Sequence, residues 1–423
     1  LYLSAYLGRD NAYTKFGDKS IYMDEYYESK IKFNLGWGNF TSALRWNYVF
    51  NDKLFSNTTV TYSRYKFFTN FDWTENSKFE NERTSSSWFY EYFSGIDDVA
   101  AKIDFDYYPN TDHAIKFGVN NTYHTFKPGV NVFEIEAGGL PSIDTTFGNR
   151  NIYGNETYAY IEDDFKIGSL FKTNIGLHFS TFNVNNTNYY SLQPRISARY
   201  MLSEKMSVKA SYAEMTQFIL LLSSSTIGLP TDLWLPTTDK IKPLESYQYA
   251  VGLSYALNNI WNISLEGYYK QMDNLIEYKE GETFFGAGKD WQKMVEVGSG
   301  NSYGAELFVQ KNIGKLTGWV GYTLSWSNRK FENLNFGNEY PYHYDRRHDI
   351  AIVLTYQVDE EFDIGATWVY GTGNAVTLAL EKYPSVNDIN DGLTDYYDDY
   401  NTIEYYEERN GIEWLHIIGS ISA

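Results

Sequence analysis

Residues 246–256 read SYQYAVGLSYA and residues 261–270 read WNISLEGYYK. In the first, Tyr247, Tyr249, Val251, Leu253 and Tyr255 alternate with Ser246, Gln248, Ala250, Gly252 and Ser254. In the second, Trp261, Ile263, Leu265 and Tyr269 alternate with Asn262, Ser264, Glu266 and Lys270. Successive side chains on a strand point to opposite faces, so each stretch carries one apolar and one polar face. Between them sits Asn258-Asn259, residue types that favour a tight turn. The reading is a pair of antiparallel strands.

The same period runs through the chain. Leu44, Trp46, Tyr48 and Phe50 alternate with Arg45 and Asn47; Ala101, Ile103, Phe105 and Tyr107 interleave with Lys102, Asp104 and Asp106; 350–358 and 362–370 repeat it. No segment shows a helical period, so the fold class is all-β, with roughly 15 or 16 strands.

Connection lengths give the topology. Short polar turns fall at 51–53, 109–112, 203–205, 258–259, 312–314 and 359–360. Long connections separate them, at about 10–29, 71–97, 128–155, 216–245, 272–301, 330–346 and 374–411, with a brief one at 186–189. Short and long in alternation predict an antiparallel transmembrane β-barrel with short periplasmic turns and long extracellular loops. The apolar face then meets lipid, and Arg45, Lys102, Asp104, Asp106, Arg195, Arg199, Glu266 and Lys270 face a wet lumen. A closed barrel leaves no edge in hydrocarbon. Tyr107, Tyr200, Tyr255, Trp261 and Tyr356, all beside short turns, form the expected periplasmic aromatic girdle. A soluble propeller or sandwich also alternates, but does not account for loops on one side or for the aromatic load.

Composition agrees. The chain holds 40 Tyr, 27 Phe and 11 Trp in 423 residues, far from ordinary soluble usage. Its net charge of −19 argues against a nucleic-acid partner, which needs Lys and Arg at phosphates. The lack of cysteine excludes disulfide scaffolds, Cys-ligated zinc and thiol catalysis. The densest apolar run, Phe218 to Leu222, is far shorter than the roughly 18 residues of a spanning helix. Opening on Leu1 inside an alternating pattern, without a visible signal peptide, the sequence reads as a fragment.

Longer stretches carry a family resemblance. Residues 193–217 (QPRISARYMLSEKMSVKASYAEMTQ), 221–236 (LLSSSTIGLPTDLWLP) and 242–252 (KPLESYQYAVG) are joined by 301–331 (NSYGAELFVQKNIGKLTGWVGYTLSWSNRKF), 344–356 (YDRRHDIAIVLTY) and 37–65. Together these resemble the C-terminal barrel region of TonB-dependent outer-membrane receptors of Bacteroides-like bacteria. The resemblance implies a Gram-negative outer-membrane location and a barrel of about 22 strands around an N-terminal plug. It also implies import of a scarce nutrient, such as a ferric chelate, a cobalamin-like molecule or a glycan, with TonB pulling on the plug. On this reading residues 1–423 are a partial barrel, with the plug absent and TonB acting through that missing domain. Residues 412–423 depart from the family: a one-base shift of codons for YRMASYHRLDIG, family-like text for this strand, yields IEWLHIIGSIS, so this tail is expected to be a frame-shifted reading.

Motifs with possible chemistry have structural readings. His343 to Asp349 (HYDRRHD) holds two His and two Asp, but Arg346 and Arg347 repel a cation, and strand-entry salt bridging is expected. Glu162 and Asp164 share one strand face and Asp163 takes the other, so no convergent acid/base pair arises. The glycines at 286–288 and 298–300 lack phosphate-loop spacing. No catalytic residues, metal site or cofactor are expected, and the chain is not expected to be an enzyme. Loop aromatics Trp88, Phe89, Tyr90, Trp234, Phe285 and Trp291, with Tyr92, Phe93 and Phe284, are the candidate small-molecule contacts, loop packing being their other reading. The acidic run 388–408 could bind cations or remain a solvated loop. A passive porin or a barrel enzyme is the alternative function; a plug and TonB box encoded upstream would separate it from a receptor.

Overall fold

The computed structural model describes residues 1–22, 25–79, 82–137, 142–148, 151–222, 233–258, 260–282 and 290–376, with the backbone of 379–383, 402–405, 411–412 and 416–422. Five tall strands come first: β1 (Tyr2–Tyr22), β2 (Glu25–Asn51), β3 (Leu54–Phe79), β4 (Glu82–Tyr107) and β5 (His113–Ala137). β6 (Ile143–Gly148) pairs with the top of β5, and β7 (Ile152–Ile167) pairs lower down. β8 (Phe171–Val184), β9 (Thr187–Ser203) and β10 (Met206–Gln217) continue the wall. A separate hairpin, β11 (Ile219–Leu222) and β12 (Leu233–Pro236), interrupts it. Then follow β13 (Leu244–Leu257), β14 (Trp261–Tyr278), one turn of helix α1 (Trp291–Met294), β15 (Val295–Lys311) and β16 (Leu316–Lys330). β17 (Tyr340–Pro341), β18 (His348–Gln357) and β19 (Asp363–Gly371) precede two small ladders, of β20 (Ala375–Val376) with β23 (Gly411–Ile412) and β21 (Ala379–Tyr383) with β22 (Thr402–Tyr405). β24 (His416–Ser422) pairs with β19.

Among the described residues the sheet has 18 strands; β6 and β17 are short pieces paired on one side, which leaves 16 wall strands in an antiparallel meander. The expected count of 15 or 16 and the all-β class hold. The sheet is not closed among the described residues, since β1 pairs only with β2 and β24 only with β19.

The predicted short turns at 51–53, 109–112, 203–205, 312–314 and 359–360 occur, and β13 and β14 are joined across 258–260, with residue 259 outside the described residues. A further turn lies at Gly168-Ser169-Leu170, and the meander puts them all at one end of the wall. Their chemistry is repeated. Asn51 Oδ1 accepts from the Lys53 and Leu54 amides at 2.9 and 3.1 Å, and Asn110 Oδ1 does the same for Asp112 and His113. Asp359 Oδ1 takes the Glu361 and Phe362 amides, both at 2.9 Å. A short side-chain acceptor thus satisfies amides that the ladder cannot reach.

Above these turns the outer face is a belt of exposed apolar side chains, including Leu44, Trp46, Val60, Val99, Ile161, Val251, Leu265 and Leu307. The girdle residues Tyr107, Tyr200, Tyr255, Trp261 and Tyr356 are all exposed, as expected. On the opposite face Lys102 pairs with Asp104 at 3.0 Å, Lys172 with Asp164 at 2.9 Å, and Tyr160 donates to Asp104 at 2.7 Å.

The connections expected at 10–29, 71–97 and 128–155 are corrected: most of their residues extend the strands. β2 is 27 residues long, about 90 Å, whereas a crossing takes about 9–11 residues. Above the belt water bathes both faces, so alternation is no longer required and its signature fades from the sequence. Tyr, Phe, Thr and Trp keep the β preference there, and the ladder stays continuous to Phe79↔Glu82.

A hairpin packed against the inner wall

The strand parity that points Val99 and Tyr123 outward turns Asp98, His124 and Glu156 inward. Tight turn 109–112 fixes the β4–β5 register, which sets Asp98 opposite His124. The β5–β7 ladder adds Gly154 opposite His124, and Glu156 one diagonal step away. Gly154 is needed there: a Cβ would lie 2.8 Å from the Phe182 ring and 3.4 Å from Phe126. Those two rings close over the imidazole, which is 3% exposed.

His124 Nδ1 lies 2.8 Å from Asp98 Oδ1, and Nε2 lies 3.5 Å from Glu156 Oε2. The residue sits one position above Tyr123, the last ring of the belt on β5. Burial alone would pull its pKa down; the Asp98 hydrogen bond and then Glu156 outweigh it and raise it to about 9. The ring is therefore a cation at neutral pH, with both nitrogens donors.

Over this constellation lies the β11–β12 hairpin, whose strands pair Leu220↔Leu235 and Leu222↔Leu233. All four leucines are buried in a cluster with Leu35, Phe67 and Tyr92 of β2–β4 and with Ile276, Tyr278, Trp291, Met294 and Val295. The hairpin thus bridges one part of the inner wall to another. Burying four leucines contributes roughly 6–12 kcal/mol, far more than so short a ladder supplies. A second cluster joins Phe126, Phe182, Val184 and Phe218, the last stacked on Phe182 at 5.1 Å.

Between hairpin and wall remains a cavity of about 610 Å³, lined by Trp234, Tyr65, Phe218, Asp98, Glu156 and Asn39 among others. That volume suits a small molecule.

The sequence-predicted residues scatter. Trp234 reaches the cavity. Trp88, Phe89 and Tyr90 lie on β4 rather than in a loop, by the same strand extension that shortened the 71–97 connection. Trp88 is exposed and edge-on to Trp73, while Tyr90 donates to Asn131 at 2.8 Å. Tyr92 is buried, which pushes its phenol well above the ordinary range. Trp291 is 3% exposed inside the leucine cluster, so its ring is a packing element. Phe284 and Phe285, the glycines at 286–288 and residues 388–401 and 406–408 of the acidic run lie outside the described residues. At the strand entry, Arg347 pairs with Asp345 at 3.1 Å and Arg346 with Asp349 at 3.8 Å, as the salt-bridge reading expects.

Asp98, His124 and Glu156 were not singled out from sequence. The Asp98–His124 pair was legible in principle, because a tight turn propagates its register up both strands. Glu156 was not, since a long connection separates β5 from β7.

Comparisons place this architecture. A search of the curated proteins found none that matches the chain. Among solved structures, the FrpB iron transporter from Neisseria meningitidis (F5-1 variant) is 10% identical, with TM-score 0.50 over 89% of this chain and 70% of its own. FpvA of P. aeruginosa, bound to a heterologous pyoverdine with Fe, is 9% identical, with TM-score 0.50 over 89% of this chain and 62% of its own. At such identities the likeness is one of fold. Residues 2–406 match the family described as TonB dependent receptor-like, beta-barrel. The chain belongs to the β-barrel family of TonB-dependent receptors.

Proposed function

We propose that this chain forms part of the wall of a Gram-negative outer-membrane receptor that imports a small-molecule nutrient with energy from TonB. Family membership, the apolar belt and the polar inner face support the location. The one-sided pairing of β1 and β24 supports a larger barrel, about 22 strands, in which this sheet is one part and a plug transmits the pull of TonB. The observation that carries the ligand reading is the cavity lined by Trp234, on the inner wall above the belt. Ferric chelates, cobalamin-like molecules and glycans are the nutrient classes to test.

Deleting the locus and supplying each class as the sole source is the direct experiment. Loss of growth on one source, restored by the intact gene but not in a strain lacking TonB, is the expected result. Unimpaired growth of the deletion strain on every class, or rescue without TonB, would leave a passive pore as the better account.

A further inference from the structure

We infer that the cavity under the β11–β12 hairpin selects an organic cation: a protonated amine or guanidinium group carried on an apolar or aromatic body. This rests on the cavity being the receptor's ligand site and narrows the nutrient classes named there to members that carry such a group.

Two carboxylates, Asp98 and Glu156, line the cavity, and no Lys or Arg is among its described lining residues. Among the described residues the cation in contact with both is His124, enclosed by rings, while Lys102 lower on the same face pairs with Asp104. One positive charge against two negative ones leaves the floor with a net negative charge. The basic residues nearest in the ladder do not reach it. Arg64 and Lys127 lie on the opposite face of the wall, where both pair with Asp97. Trp234 and Tyr65 give the lining two aromatic rings of the kind that attract a cation through their quadrupoles, while Phe218, stacked on Phe182, adds apolar surface. His124 Nε2 is buried without a hydrogen-bond partner, its contact with Glu156 being ionic at 3.5 Å. A partly committed carboxylate beside it can take a donor from the ligand. An anionic chelate would enter against this field with no counter-charge, and a neutral polyol would gain hydrogen bonds but no charge pairing.

Two xanthene dyes of one ring system and opposite charge, rhodamine 6G and fluorescein, test this by fluorescence anisotropy on the full chain in detergent micelles at roughly 0.15 M salt. Rhodamine 6G is expected to bind at least about tenfold tighter than fluorescein. Asp98→Asn with Glu156→Gln should bring the two within about twofold of each other. Trp234→Ala should weaken both dyes. If the double variant does not fold, Glu156→Gln alone, whose carboxylate is only 3.5 Å from the ring, carries the same comparison. Fluorescein binding as tightly as rhodamine 6G would overturn the charge class while leaving the cavity as a site. Equal binding of each dye to the parent and to Trp234→Ala would overturn the site and this proposal with it.

Discussion

The hairpin should be held against the wall by its leucines, and a single buried threonine can report on it. Thr237 is 0% exposed, its amide donates to the Phe218 carbonyl at 2.8 Å, and its hydroxyl has no hydrogen-bond partner among the described residues. Thr237→Cys therefore removes no hydrogen bond, and it introduces the only thiol in a chain without cysteine. Leu235, also 0% exposed, is the perturbation. Leu235→Ala removes a buried side chain from the cluster at a cost of about 2–5 kcal/mol. If Thr237→Cys reacts only when the hairpin lifts, that cost appears in the opening equilibrium, where 1.4 kcal/mol is tenfold. Reaction with a maleimide in the folded, micelle-bound protein should accelerate at least about 30-fold. β11 and β12 form a two-stranded sheet separate from the ladder of the wall, so the circular dichroism melt of the wall should move little. Rapid labelling of Thr237→Cys in the parent, or a rate indifferent to Leu235→Ala, would refute the packed hairpin.

Other consequences follow from the two faces and the buried imidazole. Val251 is on the outer face at mid-belt, so Val251→Lys should cost about 2–4 kcal/mol in folding into vesicles, whereas Gln248→Lys, three residues away on the inner face, should stay within about 0.5 kcal/mol. For His124 the folded pKa is raised from 6.5 to about 9, so its stabilisation is complete below pH 6.5 and lost as pH rises through about 9. The span corresponds to about 3 kcal/mol. Melting at pH 6 and pH 10 should show the loss, and His124→Asn should flatten it. Gly154→Ala should loosen Phe126 and Phe182 and cost about 1–3 kcal/mol in the same melts.

What the sequence disclosed follows the solvent. Where lipid meets one face, as at Tyr249–Val251–Leu253, each residue is constrained and alternation reveals the strand. Where Asn, Asp or Ser must supply a turn acceptor, the turn is equally plain. Above the belt β3 and β4 run on through residues 71–97 with water on both sides, and a strand there looks like a loop. Trp291 illustrates a second limit. Its residue type suits a ligand platform or a core, and only the fold of α1 against Leu222 and Leu235 decides between them. Pairings across tight turns, such as Asp98 with His124, follow from counting. Those across long connections, such as His124 with Glu156, do not.

Sidedness is the claim on which the rest depends. With the whole gene expressed at the surface of intact Gram-negative cells, Asn110→Cys probes a short turn and Glu82→Cys the tip of the tall β3–β4 hairpin. A membrane-impermeant maleimide should label Glu82→Cys in intact cells and Asn110→Cys only after lysis. Labelling of Asn110→Cys from outside, with Glu82→Cys protected, would contradict the account.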